Sequence, residues 1–124
     1  MILGMGTDII EIQRLSSVLE RTGEKFAQRI LTPVEMNLYN RNKQPVRLLA
    51  KRFAVKESVA KALGTGIGRG VSWQDIELYH DEAGKPLVKL SNGAAKRLEQ
   101  LGATQCHVSI SDERHYATAF AIIQ

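Results

Sequence analysis

Four groups of side chains in this 124-residue chain have types and spacings that could do chemistry: Asp8, Glu57 with Lys61, the run Gly64-Thr65-Gly66-Ile67-Gly68-Arg69-Gly70, and His107-Val108-Ser109-Ile110-Ser111 with Asp112. Asp8 and Glu57 are hard oxygen donors of the kind Mg²⁺ takes, one or two carboxylates being combined with ligand phosphates. Nothing in their separation along the chain requires them to meet. On a helical wheel Glu57 lies roughly 40° from Lys61, at the margin of an apolar arc. The plain alternative to a ligand site is therefore a surface ion pair worth about 0.3–0.5 kcal/mol. Arg52 and Lys56 fall inside the arc, and cations there should snorkel, cross a subunit interface or meet an anion.

The glycine run lacks the GxxxxGK[ST] pattern of a phosphate-binding loop and follows a helix C-terminus, whose dipole repels anions. A phosphate there would need Lys61 or backbone N–H groups; the plain alternative is a flexible connector. His107, Ser109 and Asp112 cannot form a hydrolase triad locally, because residues two apart on a strand point the same way with Cα atoms ~6.6 Å apart. No GxSxG elbow is present either. His107 is left as a solvated strand residue or an anion contact.

Positioning these groups falls to a small set of elements. Residues 2–12 alternate loosely and are rich in Ile and Leu, which predicts a strand with Gly4, Gly6 and Asp8 on one side and glycine-made space beside Asp8. A helix over about 13–22 sets Leu15, Val18 and Leu19 against a polar face carrying Arg14, Ser17 and Arg21. Thr32-Pro33-Val34-Glu35 reads as a capping box opening a helix to about Asn40. Pro45 opens the longest helix, whose apolar residues recur at three-and-four spacing until Gly64. Strands are expected at 73–79 and 87–90 around the Asp81-to-Pro86 turn, and Ser91 should cap a helix to Gly102. Residues 107–111 and 116–123 complete an antiparallel pair turned by Asp112-Glu113-Arg114. Helices first and antiparallel strands after them predict an α+β domain rather than a βαβ sheet.

Composition bounds the partners. Hydrophobic residues at 44% and charged residues at 24% are ordinary for a folded domain, and the length allows one, spanning residues 1–124. No apolar run approaches the ~20 residues of a membrane span, and the opening MILGMGTDII has no basic leader. A cytoplasmic protein without membrane contact is expected. Cys106, the single cysteine, has no disulfide or zinc partner and reads as a buried strand residue. The net charge of +4 is local: residues 13–62 hold 11 Lys/Arg against 4 Asp/Glu, leaving 6 against 9 elsewhere. Such a patch suits an acidic protein, a polyphosphate or nucleic acid. A non-catalytic nucleic-acid-binding domain is therefore the rival reading, although aromatics are only 6% and no helix-turn-helix, RNP or zinc pattern occurs.

Gly4-Met5-Gly6-Thr7-Asp8-Ile9, Arg52-Phe53-Ala54-Val55-Lys56-Glu57-Ser58, Lys61-Ala62-Leu63-Gly64-Thr65-Gly66 and His107-Val108-Ser109-Ile110 together resemble the holo-acyl-carrier-protein synthase family of 4'-phosphopantetheinyl transferases. The motifs are in order and span essentially the whole chain. The resemblance implies the 4'-phosphopantetheinyl transferase fold, an antiparallel sheet packed with a long central helix and shorter helices. It also implies transfer of phosphopantetheine from coenzyme A to a serine of apo acyl carrier protein, with Mg²⁺, in fatty acid biosynthesis; adenosine 3',5'-bisphosphate is the other product. Position by position, it makes Asp8 and Glu57 catalytic metal ligands and places Lys61 at the pyrophosphate. It gives Arg52 and His107 to the 3'-phosphoadenosine part, lets Gly64, Thr65 and Gly66 approach the coenzyme, and makes Arg14 and Arg21 the docking residues for the carrier. A homotrimer with sites between subunits is implied as well. The proton acceptor stays open between Glu57 acting through a water and a hydroxide on the metal. A coenzyme A-binding regulator without turnover is a further rival, against which the presence of both carboxylates speaks.

Overall fold

The computed structural model describes all of residues 1–124. In chain order it consists of β1 (Gly4–Glu11), α1 (Ile12–Thr22), α2 (Glu24–Ile30), α3 (Pro33–Arg41), α4 (Pro45–Ala62), a 3-10 turn (Trp73–Asp75), β2 (Ile76–His80), β3 (Pro86–Leu90), α5 (Asn92–Gln100), β4 (Cys106–Asp112) and β5 (Tyr116–Ile123). The α+β class is as expected, but the strands form two sheets rather than one. An antiparallel three-stranded sheet has the order β1-β5-β4, and β2 and β3 make a separate hairpin.

Helix α4 is the centre of the molecule because small residues let a sheet close on it. Ala117, Ala119 and Ala121 of β5 point inward and are buried, and on β1 Gly4 and Gly6 occupy the same face. The space that the two glycines open is filled by helix backbone: a Cβ at Gly4 would collide with the Ala62 carbonyl, and one at Gly6 with the Ser58 carbonyl. Leu49, Val55, Val59 and Leu63 are fully buried between sheet and hairpin, and burying a side chain of this size contributes about 1.5–3 kcal/mol. Phe53 of α4 stacks on Trp73 with ring centroids 5.1 Å apart, which packs the 3-10 turn onto the helix.

The predicted capping box forms: the Glu35 N–H donates to Thr32 Oγ1 at 3.2 Å, and the Thr32 N–H donates to Glu35 Oε1 at 2.9 Å. Three expectations need correction. Helix α2 was not expected; it restarts after Gly23, whose φ of 65° breaks the path of α1. Residues 73–75 form a 3-10 turn, not strand, because Asp75 accepts the Ser72 N–H at 3.0 Å and bends the chain. Ser91 precedes α5 without capping it; its hydroxyl instead donates to the Asp75 carbonyl at 3.4 Å. No helix is long and apolar enough to cross a membrane.

Candidate active site

The close packing of β1 on α4 brings Asp8 to Glu57 and Lys61, which follow it by 49 and 53 residues in the chain. Lys61 Nζ donates to Asp8 Oδ1 at 3.1 Å and to the Thr7 carbonyl at 2.8 Å. The plain alternative, an ion pair between Lys61 and Glu57, is absent: Lys61 turns to Asp8, and Glu57 belongs to none of the chain's ion pairs. Half of the Lys61 side chain remains exposed, and an ammonium has three donors, so one is free for a ligand. Burial pushes the Glu57 carboxyl above its ordinary range, the neighbouring Asp8 charge pushes it further, and Lys61 opposes both. A carboxylate whose proton affinity is raised by burial and by a neighbouring carboxylate at a half-open surface suits a divalent cation. No cluster of three or more His, Cys, Asp or Glu side chains exists anywhere in the chain, this site included. Asp8 and Glu57 are therefore a two-carboxylate donor set, which fits Mg²⁺ completed by phosphate oxygens.

The turn after α4 is differently equipped than its glycines suggest. The Gly64 N–H donates to the Lys61 carbonyl, and the Thr65 and Gly66 N–H groups both donate to the Ala60 carbonyl. The Thr65 hydroxyl donates to the Gly66 carbonyl at 2.8 Å. All three backbone donors are thus consumed in closing the helix, and a ligand meets here only Cα hydrogens and carbonyl edges.

Arg52 lies elsewhere. About 140° around α4 from Glu57, it is buried beside Glu35, with Nε 3.5 Å from Oε2. Lys56 is also buried, donating to Glu35 Oε1 at 2.6 Å and to the Ile30 and Trp73 carbonyls at 2.7 and 3.1 Å. Neither needs a subunit interface to explain its place in the apolar arc; the anion they meet is Glu35 of the same chain. Burial lowers the pKa of both cations and Glu35 opposes it. Arg52 also faces a cavity of about 730 Å³ ringed by Arg41, Lys43, Arg47, Lys51 and His80. There burial and the nearby Arg52 and Lys51 charges lower the His80 pKa. Sequence reasoning registered the local charge but not this cavity; the four-residue spacing of Arg47 and Lys51 was the available signal.

His107 is not brought to Asp8 within one chain. It lies opposite Ile122, which lies opposite Met5, so it points to the outer face of the sheet whereas Asp8 points inward. Arg14 and Arg21 are exposed on α1, as expected. Cys106 is half-buried and its thiol is pushed up to about 11, which leaves it a poor nucleophile.

Known proteins share this fold and much of this sequence. Residues 4–121 match the family model described as the 4'-phosphopantetheinyl transferase superfamily, and the chain belongs to that family. It is 59% identical over 122 residues to a protein named holo-[acyl-carrier-protein] synthase from Shewanella amazonensis, covering 98% of each chain. The crystal structure of holo-[acyl-carrier-protein] synthase from Neisseria meningitidis is similar with a TM-score of 0.95 and 42% identity, over 100% of this chain and 99% of that one. The Helicobacter pylori holo-[acyl-carrier-protein] synthase in complex with coenzyme A has a TM-score of 0.84 and 30% identity, over 97% of this chain and 99% of that one. Nothing in these comparisons supports a nucleic-acid-binding domain.

Proposed function

We propose that this chain acts as a single domain that transfers 4'-phosphopantetheine from coenzyme A to a serine of apo acyl carrier protein in the cytoplasm. The observation that carries the reading is the convergence of Asp8, Glu57 and Lys61 where β1 closes on α4, in a family whose relatives include a synthase bound to coenzyme A. Asp8 and Glu57 would hold Mg²⁺. Bound there, the ion supplies positive charge to the pyrophosphate and fixes its geometry.

The chain's own residues do the rest. Lys61 meets the pyrophosphate with its free donor and stabilises the charge that develops on the leaving group. The carrier serine Oγ attacks the β-phosphorus in line; the new O–P bond forms as the bond from phosphorus to the bridging oxygen breaks, and the electron pair leaves with adenosine 3',5'-bisphosphate. Glu57, at the same surface, takes the serine proton through a water. Arg52 and His107 bind the 3'-phosphoadenosine part, and Gly64 to Gly66 give the coenzyme close access. Arg14 and Arg21 steer the acidic carrier onto α1.

We further propose a homotrimer. Met5, Ile9, Tyr116 and Phe120 leave an apolar outer face on the sheet, which suits an interface. His107 on that face would then serve a neighbour's site.

Intact-mass measurement of apo carrier protein incubated with coenzyme A and Mg²⁺ tests the reading. One phosphopantetheine should be added to the serine, EDTA should prevent it, and Asp8→Ala and Glu57→Ala should each lower the rate at least about 100-fold with the fold intact. An unmodified carrier that a known synthase modifies under the same conditions would overturn the transferase. Substantial Mg²⁺-dependent turnover in either variant would overturn the metal-ligand assignment.

A further inference from the structure

The turn Gly64–Gly66 presents a conflict. It forms the carbonyl end of α4, where the helix dipole is negative, and its backbone donors are already used. Yet the proposed function brings a pyrophosphate dianion to Lys61 and this turn. Lys61 alone is a weak answer, since two of its donors are held by Asp8 and Thr7.

A second cation faces the same place. Arg97 of α5 donates from Nε to the Leu63 carbonyl at 2.9 Å, one residue beyond the end of α4. A Cβ on Gly64 would lie 3.6 Å from one of its Nη atoms, so the guanidinium lies against the turn. Arg97 belongs to none of the chain's ion pairs. The only buried side-chain nitrogen or oxygen without a hydrogen bond is Arg52 Nε, and the Arg97 Nη groups make no hydrogen bond, so they are open to solvent. Helix α5 is held at this distance by backbone packing. Gly93 presses on the Gly70 carbonyl so closely that a Cβ there would collide with it, and Ala94 is fully buried.

We propose that Arg97 is a positioning residue of the coenzyme A site: it binds the Leu63 carbonyl just past the end of α4, offsets the negative helix end and so lets the phosphates of coenzyme A lie against Gly64–Gly66. The inference rests on the phosphopantetheine-transfer reading. It assigns the tolerance of the turn for an anion to a charge on another helix, not to the glycines' N–H groups.

Two variants separate charge from hydrogen bonding. Arg97→Gln keeps a donor for the Leu63 carbonyl but loses the charge; Arg97→Lys keeps the charge. With the full-length protein, Mg²⁺, coenzyme A and apo carrier protein, Arg97→Gln should raise the coenzyme A KM about three- to tenfold. The carrier KM should stay constant, kcat should change less than about twofold, and the melting temperature should stay close to wild type. Arg97→Lys should hold the coenzyme A KM within about threefold of wild type. An unchanged coenzyme A KM in Arg97→Gln overturns the proposal, as does a parallel rise in both KM values with a lower melting temperature. If Arg97→Gln does not fold, Arg97→Lys decides, because a more than tenfold rise in its coenzyme A KM overturns a role for the charge. Should wild type itself fail to modify the carrier, the transfer reading fails instead, and the two failures are told apart.

Discussion

Lys56 and Glu57 are neighbours in sequence with opposite assignments, because helical geometry turns adjacent side chains about 100° apart. Glu57 faces β1 and the surface; Lys56 runs inward to Glu35 and is fully buried. Glu35 in turn accepts the Leu78 N–H at 3.0 Å and the Thr32 N–H at 2.9 Å. One carboxylate thus ties α3 and β2 to α4, and its charge is matched by Lys56 and Arg52. Lys56→Met would leave that buried carboxylate with the longer Arg52 contact as its only cation, which should cost about 3–5 kcal/mol. Urea unfolding of the two proteins measures it; a loss below about 1 kcal/mol would show that Glu35 is solvated or protonated in the variant. Residue spacing in the sequence placed both cations on an apolar arc and showed that each needed a partner. It could not name Glu35, whose visible local role is the capping box and whose distance from Lys56 is 21 residues.

At the scale of elements, the site exists because a strand lies directly on a helix backbone. Gly4 and Gly6 permit this, and Asp8, two residues further along the same face, arrives beside Lys61 as a consequence. Gly6→Ala should therefore act on chemistry through geometry. Its Cβ would meet the Ser58 carbonyl and Ala62 N–H, neither of which can move without distorting α4. The variant should lose about 1–3 kcal/mol of stability and about 100-fold in transfer rate through displacement of Asp8 by the order of 1 Å. Paired melting and transfer assays check this, and wild-type turnover would show that strand and helix need not touch. Local signals made most elements legible: the Thr32 capping box, Pro45 opening α4, and the period-2 strand at 107–111. Helix α2, only seven residues long, follows a glycine break and has too few turns for a periodic signal. The separation of β2–β3 from the main sheet depends on long-range packing, which no local pattern encodes.

For the whole molecule, the outer face of the main sheet decides whether one chain suffices. Alternation along β4 legibly puts His107 and Ser109 on one face, but not whose site that face serves. The register across β1, β5 and β4 puts Asp8 and His107 on opposite faces of the same sheet, so one site containing both would draw them from two copies. Closed cyclic assemblies make this testable by mixing. On the proposed assignments, Asp8→Ala subunits would lack a metal carboxylate and His107→Ala subunits a coenzyme contact, so each alone should turn over poorly at coenzyme A concentrations below the wild-type KM. Co-refolded in equal amounts, they should regain about one quarter of the wild-type rate, because a site is whole when an Asp8-bearing chain faces a His107-bearing neighbour. Sedimentation should show three chains per particle in each preparation. A mixture no more active than the average of its two components would assign both residues to one chain's site, and a monomeric particle would remove the shared site together with the trimer.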